Sequence, residues 1–188
     1  MKKVTSFILA GGKSSRMGMD KGFCKIGQEE FIPRIAKCLT PFSQEVVLVS
    51  GLEAYDVFGL KRIEDIYPGK GPIAGIQAAL EYTSTENNII MSCDIPFISP
   101  TLIQRLVDET QEQDVIHLAT RHETMPLAAL YKKSCRTYFK SRLEKDELKL
   151  RDALKGLQVK NIQVAEEEER FLSNINTPQE LKKINHDR

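Results

Sequence analysis

Val4-Thr5-Ser6-Phe7-Ile8-Leu9-Ala10-Gly11-Gly12-Lys13-Ser14-Ser15-Arg16-Met17-Gly18-Met19-Asp20-Lys21 begins as a β-prone, largely apolar run, halts at two glycines, and continues as a loop carrying three cations. A short apolar run bounded by glycine reads as a buried strand, here over 4–10. Downstream, similar runs at 45–50, 62–66, 88–92, 114–119, 126–131 and 158–163 alternate with segments of helical period. Ile32, Ile35, Ala36 and Leu39 stand at i, i+3, i+4, i+7 and predict a helix over about 31–39. Pro72 after Gly71 opens a second helix, and Ser99-Pro100 supplies the cap and first turn of a third. A further helix is expected over 134–145, and Thr177-Pro178-Gln179-Glu180 reads as a capping box. Such alternation gives βαβ units: a three-layer, Rossmann-like, doubly wound α/β fold with a mostly parallel sheet. Glu166 to Glu169 reads as a solvated acidic turn without a function.

The chain has 188 residues, 41% hydrophobic and 28% charged, which suits one globular domain over 1–188 needing neither disulfides nor a structural metal. Lysine plus arginine number 27 against 26 acidic residues, a net charge of +1 that argues against a broad basic face for nucleic acid. With no tryptophan and 7% aromatic residues, base stacking on aromatic platforms is disfavoured too. No apolar run is long enough to span a bilayer, and the one after Met1-Lys2-Lys3 breaks too early for a secretory signal, so a cytosolic protein without membrane partners is expected. Cys24, Cys38, Cys93 and Cys135 form no C-x-x-C pair and are expected to be free thiols. His117, His122 and His186 have no ligand spacing around them.

In open α/β sheets, ligands sit beyond the carboxyl ends of the strands. That rule selects residues 11–21, the segment from Asp65 to Gly75, and Asp94. Glycines let a backbone turn its N–H groups onto a phosphate, and Lys13, Arg16 and Lys21 add positive charge to the same loop. A triphosphate needs this combination, because its charge must be offset before a nucleophile can approach. Asp94, after Ile89-Ile90-Met91 and before Ile95-Pro96, fits either a Mg²⁺ ligand or a turn cap, and the same two readings apply to Asp65. Cys93 reads as a small buried residue, since no histidine stands near to activate it. Neither G-x-x-x-x-G-K-[ST] nor G-x-G-x-x-G occurs, so the loop is neither a P-loop nor a dinucleotide fingerprint.

Taken together, the segments resemble the MobA family of molybdenum cofactor guanylyltransferases, within the nucleotidyltransferases. The motifs are Leu9-Ala10-Gly11-Gly12, Arg16-Met17-Gly18-x-Asp20-Lys21, Glu64-Asp65, Gly71-Pro72-Ile73-Ala74-Gly75-Ile76, Cys93-Asp94-x-Pro96 and Asn174-Ile175-Asn176-Thr177-Pro178. Lys21 only five residues after Arg16 is the most telling, since sugar-phosphate nucleotidyltransferases place that lysine further along. The resemblance implies a nucleotide-diphospho-sugar transferase-like fold and transfer of GMP from GTP to the phosphate of molybdopterin. It implies that Leu9, Ala10, Gly11 and Gly12 contact the nucleotide through their backbone, with Asp65 helping to hold it. Arg16 and Lys21 would neutralise the triphosphate, and Asp94 would bind Mg²⁺, for which Mn²⁺ could substitute. Asn174 and Asn176 would face the pterin side. Implied partners are GTP and molybdopterin, with transient contacts to other cofactor-biosynthesis proteins or acceptor apoenzymes.

Two positions depart from the family's usual pattern: Ser50-Gly51 stands where an asparagine often follows the second strand, and Met125 precedes Pro126. Three other readings stay open on the residues alone. One is a cytidylyltransferase acting on the same pterin, another is a nucleotidyltransferase for a different small phosphate, and the third is a nucleotide-binding partner that catalyses nothing.

Overall fold

The apolar run at the start forms a strand whose residues are all buried but the last, so both of its faces must be covered. The computed structural model describes residues 4–11, 20–109 and 112–186. After β1 (Val4–Leu9) come a small hairpin of β2 (Lys25–Ile26) and β3 (Glu29–Glu30), then α1 (Phe31–Leu39), β4 (Glu45–Val49), β5 (Lys61–Ile63) and α2 (Pro72–Tyr82). The chain continues through β6 (Asn87–Ser92), α3 (Pro100–Asp108), β7 (Val115–Ala119), β8 (Thr124–Lys132), α4 (Arg136–Glu144), α5 (Leu150–Leu154), β9 (Val159–Gln163) and α6 (Pro178–His186). The main sheet has seven strands in the order β5-β4-β1-β6-β8-β7-β9. β5, β4, β1 and β6 run parallel, and β8 is antiparallel to both β6 and β7.

Alternation along each strand builds two cores. Val4 and Ile8 of β1, with Leu48, Ile89 and Met91, pack one face with α1 and α3 residues such as Ile32, Leu39, Leu102 and Leu106. Phe7, Val47, Val49 and Ile90 pack the other face against Ile73, Ile76 and Leu80 of α2 and Phe139 of α4. Each such side chain, fully removed from water, contributes roughly 1.5–3 kcal/mol. Three layers result, as the alternating pattern requires.

β8 departs from the parallel units expected over 126–131. Its link from β7 spans only residues 120–123, far too short for the crossover that a parallel pair needs, so the two strands form a hairpin. The hairpin is irregular: His117 pairs with Ala129, but Leu118 pairs with Met125. Pro126 has no N–H to give to a ladder, and the Tyr131 hydroxyl donates to its carbonyl at 2.9 Å, bracing the bulge. β5 ends at Ile63, earlier than the 62–66 run suggests, which leaves Glu64 and Asp65 in a loop. The acidic run is not merely solvated. Residues Glu166–Leu172 form a 3-10 turn in which the Glu168 carboxylate accepts both terminal nitrogens of Arg105, each at 2.8 Å, and Glu169 accepts the Arg121 N–H at 2.8 Å. All four cysteines are free. Among the described residues no helix is long and apolar enough to cross a membrane.

Candidate active site

The carboxyl ends of β1, β4, β5 and β6 are laced together by backbone. Ala10 N donates to Val49 O at 3.0 Å, Ser50 N to Ile63 O at 2.9 Å, and Cys93 N to Leu9 O at 3.0 Å. Gly11 leaves this edge exposed, with φ +128°, a backbone state that L side chains rarely adopt. Gly12 and Arg16 lie outside the described residues, as does Lys13. The chain re-enters at Asp20, whose Oδ1 accepts the Gly22 N–H at 3.1 Å and caps the short turn Lys21–Phe23. Gly22 is buried, and a Cβ there would stand 2.4 Å from the Ile32 side chain and 2.6 Å from Tyr55. Glycine therefore lets this turn press against the core while Lys21 stays at the surface of the site.

Lys21 Nζ reaches two acceptors. It donates to Asn176 Oδ1 and, at 3.4 Å, to Asp94 Oδ2. The two charged side chains are 19% and 21% exposed, enough for a ligand to reach both. Asp94 is fixed by its neighbours. Its carbonyl accepts the Ile175 N–H at 2.9 Å, and Arg34 Nε donates to Pro96 O at 2.9 Å, tying α1 to the turn after β6. Cys93 is buried, as the sequence suggests, and desolvation pushes its thiol up to about 12, which leaves no nucleophilic thiolate.

The segment from Asn174 to Asn176 has no regular secondary structure and is anchored by a fully buried Ile175, which packs with Cys24, Ile26 and Phe31. Asn176 meets Lys21, whereas Asn174 lines a cavity of about 560 Å³ that Asp94 lines as well. Met125, Leu127, Lys149 and Arg151 also line it. The bulge in β8 and the start of α5 thus wall a cavity that reaches Asp94. Lys149 and Arg151 went unread in the sequence; the signal was a pair of cations flanking Leu150 just before an apolar turn, a pattern that ordinary solvated residues also make.

Asp65 is half-buried, and its Oδ1 has no hydrogen-bond partner among the described residues. Burial alone pushes its carboxyl above the ordinary range. A Cβ on Gly75 would stand 3.5 Å from that oxygen and 3.2 Å from Leu9 Cδ2, so α2 packs tightly against the ends of β1 and β5. An orphaned buried acceptor is costly, and a ligand donating an N–H or O–H would relieve it.

Lys21 therefore contacts both Asp94 and Asn176, and Asn174 shares the cavity with Asp94. Asp65 is joined to them by no hydrogen bond among the described residues, and it stands with Leu9 beside Gly75 of α2. Among the described residues no three His, Cys, Asp or Glu side chains group as metal ligands, so a cation at Asp94 would draw its remaining ligands from phosphate and water. Such a site suits Mg²⁺, which keeps several waters and binds through one or two carboxylates plus substrate phosphate.

Residues 6–162 match the family model described as a MobA-like NTP transferase domain. The chain is 38% identical over 186 residues to the probable molybdenum cofactor guanylyltransferase of Flavobacterium johnsoniae, covering 98% of each chain. It is 33% identical over 189 residues to the protein of the same description from Carboxydothermus hydrogenoformans, covering 98% of this chain and 96% of that one. Among solved structures, it is similar to molybdopterin-guanine dinucleotide biosynthesis protein A from Archaeoglobus fulgidus, with a TM-score of 0.84, 25% identity and 97% of each chain covered. A 2-C-methyl-D-erythritol 4-phosphate cytidylyltransferase from Thermus thermophilus, at TM-score 0.72, 16% identity and 98% of each chain covered, shares the fold alone.

Proposed function

We propose, from the premise that this chain belongs to the MobA-like NTP transferase family, that it transfers GMP from GTP to the phosphate of molybdopterin and releases pyrophosphate. The observation that carries this reading is the contact of Lys21 with Asp94 and Asn176, beside a cavity that also holds Asn174, Lys149 and Arg151. The Lys21 cluster would take the nucleotide phosphates and the cavity the pterin phosphate, with the reacting phosphorus near Asp94, which belongs to both.

In the reaction an oxygen of the acceptor phosphate forms a bond to the α-phosphorus of GTP, and the bond from that phosphorus to the bridging oxygen breaks. The electron pair leaves on pyrophosphate. The attacking phosphate is already anionic, so no strong base is needed; the task is alignment and charge neutralisation. Lys21 and Arg16 would offset the triphosphate charge, and the backbone of Leu9, Ala10, Gly11 and Gly12 would turn toward it. Asp65 would accept a hydrogen bond from the nucleoside. Asn174, Lys149 and Arg151 would hold the acceptor. Asp94 would hold Mg²⁺, or Mn²⁺ in its place, and the bound ion would draw charge from the phosphate oxygens. We place the reaction in the cytosol, where the four free thiols would stay reduced.

The test is pyrophosphate release with Mg²⁺ and molybdopterin, run with GTP and with CTP. Turnover with GTP that falls roughly 10²–10³-fold in Lys21→Ala, the loss expected for one preorganised charge contact, supports the assignment. Asp94→Asn should lose turnover while keeping much of its nucleotide binding. Faster turnover with CTP would make the protein a cytidylyltransferase, and no release above the Lys21→Ala background would sink both.

A further inference from the structure

We propose that Glu180, on the first turn of α6, is a positioning residue that fixes Asn176, and through it Lys21, for the triphosphate. The inference rests on the reading of Lys21 given above, and it assigns a role to a residue that touches no substrate.

A capping box asks a glutamate at this position for one bond, back to the N–H of the cap residue. Glu180 makes that bond to Thr177 N at 3.1 Å, and Thr177 Oγ1 accepts the Glu180 N–H at 3.2 Å in return. The same carboxylate oxygen also accepts the N–H of Asn176, at 2.7 Å, the shorter of its two bonds. Helix capping does not require this second bond. Asn176 is the residue whose side-chain oxygen accepts from Lys21. Its predecessor Ile175 is buried and donates its own N–H to the carbonyl of Asp94 at 2.9 Å. Three consecutive amides, from Ile175 to Thr177, are therefore tied down by two acidic residues, Asp94 and Glu180. The amide side chain of Asn176 is left facing Lys21.

The consequence lies in where the ammonium rests. Its separation from Asp94 is 3.4 Å, long for a charge-assisted bond, while Asn176 draws it away from the carboxylate. Were Asn176 released, Lys21 would close onto Asp94 and occupy the carboxylate and the cation together. The bond from Asn176 is also the main reason that the Glu180 carboxyl is held below its usual range, so it is ionised wherever the enzyme would work.

Inorganic tripolyphosphate, titrated calorimetrically, reads the Lys21 cluster without depending on a base or an acceptor. Lys21→Ala should weaken its binding about tenfold or more, and E180A and N176A each about fivefold, the worth of one hydrogen bond to an ordered group. The double variant E180A/N176A should bind no worse than N176A alone, because the two residues act in series. E180Q should recover binding to within about twofold, since its side-chain oxygen can still accept both amides. E180D, which keeps the charge at the helix start but is a methylene too short for Asn176, should resemble E180A and serves if E180A does not fold. Wild-type binding in E180A or E180D, or effects of E180A and N176A that multiply, would reduce Glu180 to a cap and overturn the proposal. Unchanged binding in Lys21→Ala would instead sink the triphosphate reading itself. A coupled cycle in a protein that turns over no GTP would sink the transferase reading and leave the role of Glu180 standing.

Discussion

At Asp65 the folded chain keeps a carboxylate oxygen buried without a hydrogen-bond partner among the described residues, and burial raises its pKa. A group with a raised folded-state pKa binds its proton more tightly when folded than when unfolded. For a carboxyl this penalises the ionised form: the penalty is complete above the folded pKa and vanishes as pH falls below the unfolded value. Asp65→Asn should therefore raise Tm at neutral pH by about 2 °C, with the gain disappearing near pH 4. The same change should weaken nucleotide binding. A stability gain bought with lost affinity is the pattern expected at a functional site. A thermal melt series from pH 4 to 8 reads the first half, and no gain at neutral pH would mean that Asp65 finds its partner within the fold.

Elements carry these residues to the site, and their spacing is where small changes tell. Gly75→Ala would put a Cβ 3.2 Å from Leu9 Cδ2 on the face where α2 meets β1. The helix-propensity gain of about 1 kcal/mol is offset by an overpacking cost at the low end of about 1–3 kcal/mol, because the atom met is the far end of the flexible Leu9 side chain. Tm should thus move little, while nucleotide affinity, read by calorimetry, falls several-fold because Leu9 and Asp65 are displaced. Equal affinity would show that the helix does not set the site's width. The clamp between Arg105 on α3 and Glu168 behaves differently. Its carboxyl is held low by the guanidinium, so its stabilisation is full above the ordinary carboxylate range and is lost as pH falls through the lowered value. Glu168→Gln should cost about 0.5–1 kcal/mol at neutral pH, as befits a partly exposed bidentate pair, and denaturant melts in acid should show no difference.

How far the sequence speaks differs by element for physical reasons. α1 occupies 31–39 as its apolar spacing predicts, and the Thr177 and Glu180 box forms as written, because caps and periodicity are local. Asp94 and Lys21 meet across 73 residues because both stand at ends of the same sheet, which the strand-end rule captures. The direction of β8 could have been read from its four-residue link over 120–123. Lys149 and Arg151 could not, since a cation's meaning depends on a cavity wall made by a bulge in another strand. Nor does a run of glutamates announce which arginines it will meet.

For the whole molecule, the Lys21 cluster and the cavity lined by Asn174, Lys149 and Arg151 meet at Asp94, which belongs to both. The strand ends from β5 to β6 form one side, and the β8 bulge with α5 forms the other. The net charge of +1 means that attraction for two anionic substrates must come from local placement of cations, not from the overall field. The most direct measurement is calorimetric titration of GTP and of CTP, each with Mg²⁺, into wild type and Lys21→Ala. The account predicts that GTP binds about tenfold or more tightly than CTP, a difference of roughly 1.4 kcal/mol, and that Lys21→Ala loses most of the GTP affinity. Equal or tighter binding of CTP, or GTP affinity untouched in Lys21→Ala, would contradict it.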